Sequence, residues 1–239
     1  MTAPMTESNL AATIDHAILK PQFTRADVDA ELDVAAEWRV FSVCVRPSDI
    51  AYATGRLEGT GVAVGTVIGF PHGTTSTAAK VAEATQALVD GATELDMVIN
   101  IAALRSGFDD AVVADIRAVV DAAQGRVTKV ILETSLLDDE QIARGSRLTE
   151  AGGADFVKTS TGFAGGGATA EHVRLMRANV GAEVQVKASG GVRGLDDALT
   201  MIEAGATRLG TSASATILGE LRARLAGGAG SSAVDETSY

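Results

Sequence analysis

The sequence predicts an α/β protein, folded as a single (β/α)8 TIM barrel. Three observations predict it. Short β-branched apolar runs alternate with alanine-rich amphipathic stretches along the chain. Eight such units, of roughly 25–30 residues each, account for the 239 residues and leave no second domain over. Polar residues interrupt some of these runs near their C-terminal ends, where such a barrel carries its chemistry. A doubly wound open sheet would alternate similarly, but eight repeats with nothing left over favour closure.

The expected strands are residues 13–19, 41–45, 62–69, 94–99, 128–134, 155–160, 183–189 and 207–211. Each is short, rich in Val, Ile or Leu, and bounded by polar or glycine residues. Residues 76–90 carry Ala79, Ala82, Ala87 and Leu88 at helical spacing and stop at Gly91. Residues 108–123 repeat the pattern with Val112, Val113, Ile116, Val119 and Val120. Residues 168–178 and 195–204 follow, the latter stopped by Gly205. The expected organisation is an N-terminal extension (1–12), the barrel (13–225) and a flexible tail (226–239), since 226–232 are Gly, Ala and Ser only.

Aromatic residues are only 4% of the chain, so Val, Ile, Leu and Ala must build the core. The net charge of −11 argues against nucleic-acid binding but leaves room for a small anionic substrate in a local cationic pocket. Cys44 is the only cysteine, which excludes an intrachain disulfide. His16, His72 and His172 do not cluster at metal-ligand spacing, so no metal is expected. Residues 1–9 lack a secretory pattern and no apolar run is long enough for a bilayer, so a cytoplasmic location without membrane contact is expected. A homodimer is the default expectation for a soluble enzyme.

Two lysines occupy the same setting on consecutive strands, in Phe156-Val157-Lys158-Thr159-Ser160 and in Val184-Gln185-Val186-Lys187-Ala188-Ser189. Strand side chains alternate faces, and neighbouring strands lie about 4.8 Å apart. The two ammonium groups are therefore expected within about 5–6 Å of each other. At an effective dielectric of about 20, their repulsion is about 3 kcal/mol, or about two pKa units. Burial pushes the same way. A neutral amine can attack a carbonyl, which is the chemistry of a Schiff-base lysine. Asp96, inside the apolar run Leu95-Asp96-Met97-Val98, is placed to relay protons, and Asp15 is a second acid in an apolar strand. Gly190-Gly191 after strand seven and Gly210-Thr211-Ser212 after strand eight suggest a phosphate site of the kind barrels build there.

The segments Glu94-Leu95-Asp96-Met97-Val98-Ile99-Asn100, Phe156-Val157-Lys158-Thr159-Ser160-Thr161-Gly162-Phe163 and Val186-Lys187-Ala188-Ser189-Gly190-Gly191-Val192-Arg193 resemble the deoxyribose-phosphate aldolase family. Ile14-Asp15-His16, Gly69-Phe70-Pro71-His72-Gly73 and Gly210-Thr211-Ser212 extend the resemblance, in unbroken order from Ile14 to Leu225. The resemblance implies a class I aldolase that needs no metal or other cofactor. It implies reversible cleavage of 2-deoxy-D-ribose 5-phosphate to acetaldehyde and D-glyceraldehyde 3-phosphate. Lys158 then corresponds to the Schiff-base nucleophile, Lys187 to the neighbouring cation, Asp96 to the proton-relay acid and Asp15 to a supporting contact. Thr161, Gly162, Gly190, Gly191, Gly210 and Ser212 correspond to phosphate or substrate contacts. Relatives can end in a tyrosine that reaches the site, and by this resemblance Tyr239 corresponds to a catalytic residue that helps move the proton. Some relatives carry lysine where this chain has Phe163, and serine where it has Ala213, which bears on phosphate affinity. The competing readings are a phosphate-sugar isomerase without a covalent intermediate and a non-catalytic protein that binds phosphorylated metabolites.

Overall fold

The structure, a computed structural model, describes residues 5–227. A short helix α1 (Glu7–Ala11) leads into β1 (Ile14–Ile18), α2 (Arg25–Trp38), β2 (Ser42–Val45), α3 (Ile50–Arg56), β3 (Ala63–Ile68), α4 (Thr77–Val89) and β4 (Glu94–Val98). There follow α5 (Ile101–Arg105), α6 (Asp109–Ala122), β5 (Val127–Ile131), α7 (Asp139–Ala151), β6 (Phe156–Lys158), α8 (Ala170–Ala178), β7 (Gln185–Ser189), α9 (Leu195–Glu203), β8 (Arg208–Thr211) and α10 (Ser214–Leu225). The eight strands pair in parallel, in chain order, and the barrel closes between β8 and β1, where Gly210 faces Asp15. All eight predicted strands are present, shortened at one or both ends, although β5 begins one residue early at Val127. The largest overrun is strand five, expected to reach residue 134. Glu133 takes a left-handed conformation (φ 60°), and the chain turns through Thr134–Leu136 instead of continuing the ladder.

Local signals start the helices. Thr24 and Asp27 form a reciprocal capping box at α2, as do Asp138 and Gln141 at α7. Ser76 and Thr169 accept the exposed N–H groups at the starts of α4 and α8. Within the expected N-terminal extension, α1 buries Leu10 and pairs Glu7 with Arg222 of α10 at 2.8 Å.

The two faces of each strand have different solvents. On β4, Leu95 and Met97 point outward into a large apolar layer shared with the helices, as do Val130 on β5, Val157 on β6 and Val186 on β7. Period-two alternation turns the intervening residues into the barrel. These include Glu94 and Asp96, Lys129, Lys158 and Lys187, all buried. The hydrophobic core therefore lies between sheet and helices, and the barrel lumen is ionic. A small apolar patch of Leu19, Cys44 and Val67, with Phe70 against it, forms separately from the outer layer. Burying a charge without partners costs several kcal/mol, so the arrangement of the lumen must be one of mutual pairing.

Candidate active site

Register puts the charges side by side. Lys158 of β6 is the ladder partner of Lys187 of β7, and Asp96 of β4 is the partner of Lys129 of β5. Asp96 is the hub. Its Oδ2 accepts hydrogen bonds from Lys158 Nζ and Lys187 Nζ, each at 2.8 Å, and its Oδ1 accepts one from Lys129 Nζ at 2.8 Å. Two amines bonded to one oxygen are separated by no more than twice that distance, which agrees with the closeness expected from strand spacing. Lys187 also pairs with Asp15 Oδ2 at 2.5 Å. Asp15 Oδ1 accepts from Ser42 Oγ at 2.7 Å and from the Arg208 guanidinium. Glu94 Oε2 accepts from Lys129 Nζ at 2.7 Å and from Arg208 Nη2 at 2.8 Å.

The two lysines are not equivalent. Lys187 touches two carboxylates, Asp15 and Asp96, whereas Lys158 is bonded to Asp96 alone. Burial opposes the charge on both. At Lys187 the two carboxylates overcome burial and raise the pKa well above the usual lysine value. At Lys158 burial prevails, assisted by the charge of Lys187 and opposed by Asp96, and the pKa is lowered. Burial, rather than the lysine–lysine repulsion expected from strand spacing, is the larger cause. Asp96 is held well below the carboxylate range: burial would raise it, but Lys129, Lys158 and Lys187 outweigh that. The site thus holds an amine of lowered pKa and an ammonium of raised pKa, both within hydrogen-bond distance of one carboxylate of lowered pKa.

This cluster sits at the C-terminal ends of the strands beneath a cavity. Lys158 and Lys187 line it with Asp15, Thr161, Gly190, Gly210 and Ser212. Of the residues expected from sequence, Gly162 and Gly191 lie next to lining residues but do not line the cavity themselves, and Tyr239 lies outside the described residues. Ser212 Oγ is buried and has no protein partner, so its hydroxyl is available to a ligand. Gly210 is required by close approach. A Cβ there would stand 2.8 Å from Ser189 Cβ and 3.1 Å from Lys187 Cε. Gly210→Ala is accordingly expected to displace the Lys187 ammonium and lower kcat by about 10-fold, with a smaller change in KM, measured by steady-state kinetics. Phe163 packs its ring edge-on against Phe70 with centroids 5.2 Å apart.

Four buried ionisable residues of the site were not singled out from sequence: Lys129, Arg208, Glu94 as a functional group, and Glu133. Lys129 carries the same signal as Lys158, a lysine inside a Val- and Ile-rich strand, but without glycine after it. Glu133 accepts from Thr161 N at 3.2 Å and from the Thr161 hydroxyl, and burial raises its pKa against those hydrogen bonds. His16 lies apart from the cavity lining, bonded to Ser214 and Glu31 at 2.8 Å each, where it ties β1 to α10 and α2. Among the described residues no cluster suits a metal ion, and no helix is long and apolar enough to cross a membrane.

A closed parallel barrel with a desolvated lysine amine at its mouth defines the class: a barrel equipped for carbonyl chemistry through an amine. Comparison with known proteins narrows it. Residues 10–224 match the family described as DeoC/LacD family aldolase, and the chain belongs to that family. It is 56% identical over 215 residues to Deoxyribose-phosphate aldolase 2 of Staphylococcus aureus, covering 90% of this chain and 98% of that one. Deoxyribose-phosphate aldolase of Staphylococcus haemolyticus is 55% identical over 210 residues, covering 88% and 96%. Among solved structures, the deoxyribose phosphate aldolase of Aeropyrum pernix, described as a tetramer, superposes with a TM-score of 0.85 at 33% identity, covering 92% of this chain and 93% of that one.

Proposed function

We propose that the protein is a class I aldolase that reversibly cleaves 2-deoxy-D-ribose 5-phosphate to acetaldehyde and D-glyceraldehyde 3-phosphate. The observation that carries this reading is the unequal pairing of two buried lysines around Asp96, with the lowered pKa on Lys158. Neutral Lys158 adds to the C1 aldehyde of the open-chain sugar, and loss of water gives an iminium. Removal of the C3 hydroxyl proton breaks the C2–C3 bond, releases glyceraldehyde 3-phosphate and leaves an enamine on Lys158. Protonation at C2 and hydrolysis release acetaldehyde and restore the amine. Asp96 opposes neutrality of the resting amine, yet it stabilises the iminium charge that follows, a transition-state preference of the useful kind. Asp96, coupled to Lys187 and to a water or Tyr239, moves the protons.

Asp15 holds Lys187 charged. Thr161, Gly162, Gly190, Gly191, Gly210 and Ser212 receive the sugar phosphate, with backbone N–H groups and the start of α10 favouring an anion. Lys20 shares a neighbouring surface groove with Ser212 and Ala213, which brings a cation to that side of the mouth. The assembly is read as a homodimer; sedimentation would separate it from a tetramer. A cytoplasmic location completes the reading.

The test is reductive trapping. Borohydride with acetaldehyde is expected to leave an ethyl group on Lys158, mapped by mass spectrometry. An isomerase or a binding protein would gain none, and an adduct elsewhere would overturn the assignment. The rate of trapping should rise with pH. A depressed amine is protonated below its pKa and unreactive, so the midpoint should lie below the ~10.4 of free lysine.

A further inference from the structure

The ion network in the lumen extends well past the reacting amine. Four cations (Lys129, Lys158, Lys187 and Arg208) are linked to three carboxylates (Asp15, Glu94 and Asp96) by contacts of 3 Å or less. If all were ionised, the network would carry one surplus positive charge among buried side chains. The surplus is removed at least cost by the cation with the fewest carboxylates, and that cation is Lys158. Glu94 and Arg208 are the first residues of β4 and β8, at the end of the barrel opposite the mouth. The Arg208 guanidinium lies 3.6 Å from the Phe41 ring centroid, over a side chain that is 40% exposed at that far end. Neither Glu94 nor Arg208 lines the substrate cavity.

We propose that Glu94 and Arg208 are positioning residues for the reaction: from the floor of the barrel, through the shared network, they fix which amine is uncharged when substrate arrives. The inference rests on Lys158 being the imine-forming residue. The groups facing Lys158 come from all sides of the barrel. Asp15, Glu94, Asp96 and, above them, Glu133 are the acids; Lys129, Lys187 and Arg208 are the cations. The Cys44 thiol, pushed up to about 11 chiefly by burial, stays neutral below that, and β3 contributes no ionisable residue. Lys129 is held by Glu94 and Asp96 and also lies 3.9 Å from Asp15, so it retains its charge when one of the three is lost.

A unit charge about 10 Å away, at an effective dielectric of about 20, moves an amine equilibrium by about one pH unit. Glu94→Gln removes a negative charge, favours the neutral amine and should shift the pH midpoint of imine trapping at Lys158 downward by about one unit. Arg208→Gln removes a positive charge and should shift it upward by a similar amount, while Arg208→Lys keeps the charge and should leave the midpoint in place. The double variant Glu94→Gln/Arg208→Gln restores the net charge and should return the midpoint to that of the unaltered protein. The experiment follows acetaldehyde trapping by cyanoborohydride across pH, with the adduct mapped in each case. Opposite shifts that cancel in the double variant support the proposal. Unmoved midpoints, shifts of one sign, or an Arg208→Lys shift as large as that of Arg208→Gln would overturn it. If one single variant does not fold, the other single and the double variant still decide, because the double leaves no charge uncompensated. Failure of the unaltered protein to trap acetaldehyde at Lys158 would be distinct: it would remove the reading on which the inference rests.

Discussion

Replacing Lys158 with Met is expected to lower kcat/KM by at least about 10⁴-fold while leaving the protein folded and melting no lower than the unaltered chain. The first half follows from chemistry, because no other lysine at the mouth combines reach with a lowered pKa. Lys187 is adjacent but is kept charged by Asp15 and Asp96. The second half follows from counting charges in the lumen. Removing Lys158 leaves three cations on three carboxylates, so the variant loses the one group whose ionisation the network disfavours. Lys158→Arg should be equally inactive but should melt lower, since a guanidinium cannot shed its proton and the surplus charge becomes permanent. Thermal melting of the three proteins at pH 7, beside their turnover, checks both halves. A Lys158→Met protein that melts well below the unaltered one would show that the surplus-charge picture is wrong.

The barrel was legible in the sequence because its two periods are separated cleanly. Outward residues such as Leu95, Met97, Val130 and Val157 are apolar, while helices such as α4 and α6 announce themselves at three- and four-residue spacing. The pairing of Lys158 with Lys187 was legible because the two occupy corresponding positions on consecutive strands, and in a parallel ladder corresponding positions become neighbours. Helices α2, α7 and α10 were not singled out: polar residues dilute their apolar stripes, and the starts of α2 and α7 are marked by capping boxes more than by hydrophobicity.

What decides the chemistry was not legible. The Asp15–Lys187 contact joins β1 to β7, which are not ladder neighbours, and no local pattern reports a contact across a lumen. The same holds for the Arg208–Glu94 contact, which joins β8 to β4, whereas Arg208 meets Asp15 across the paired β8–β1 seam. From sequence alone the two lysines look interchangeable, and family resemblance separates their roles. In the structure the difference is physical: two carboxylates raise the pKa of Lys187, and a single shared carboxylate leaves that of Lys158 lowered by burial. Glu133 was hidden for another reason. It continues an apolar strand in sequence, and only its left-handed backbone turns its carboxylate toward Thr161.

Asp96→Asn is the substitution expected to damage stability and turnover together. It removes the acceptor of three ammonium groups at once, and breaking a buried pair on one side typically costs about 3–5 kcal/mol. The sign of the pH dependence tests the cause. In the unaltered protein the depressed Asp96 pKa contributes stability that is fully present above the unfolded carboxylate value of ~3.9 and is lost as pH falls through the folded value. In Asp96→Asn, Lys158 loses the one carboxylate that opposes its lowered pKa; its pKa falls further below the ~10.4 of the unfolded chain, so the folded state binds fewer protons there and stability climbs with pH. The deficit measured by urea unfolding should therefore be smaller at about pH 9.5 than at pH 7; a deficit independent of pH would point to lost packing instead. For catalysis the variant separates two roles of one carboxylate. Losing the charge that opposes a neutral Lys158 leaves the amine free to add to acetaldehyde, so the borohydride adduct should still form. Proton transfer at the methyl carbon of the bound iminium should fail, and exchange of the acetaldehyde methyl protons with deuterated solvent should slow by about 10³-fold. Exchange at the unaltered rate would remove Asp96 from the proton relay and leave it only as the counter-charge of the iminium.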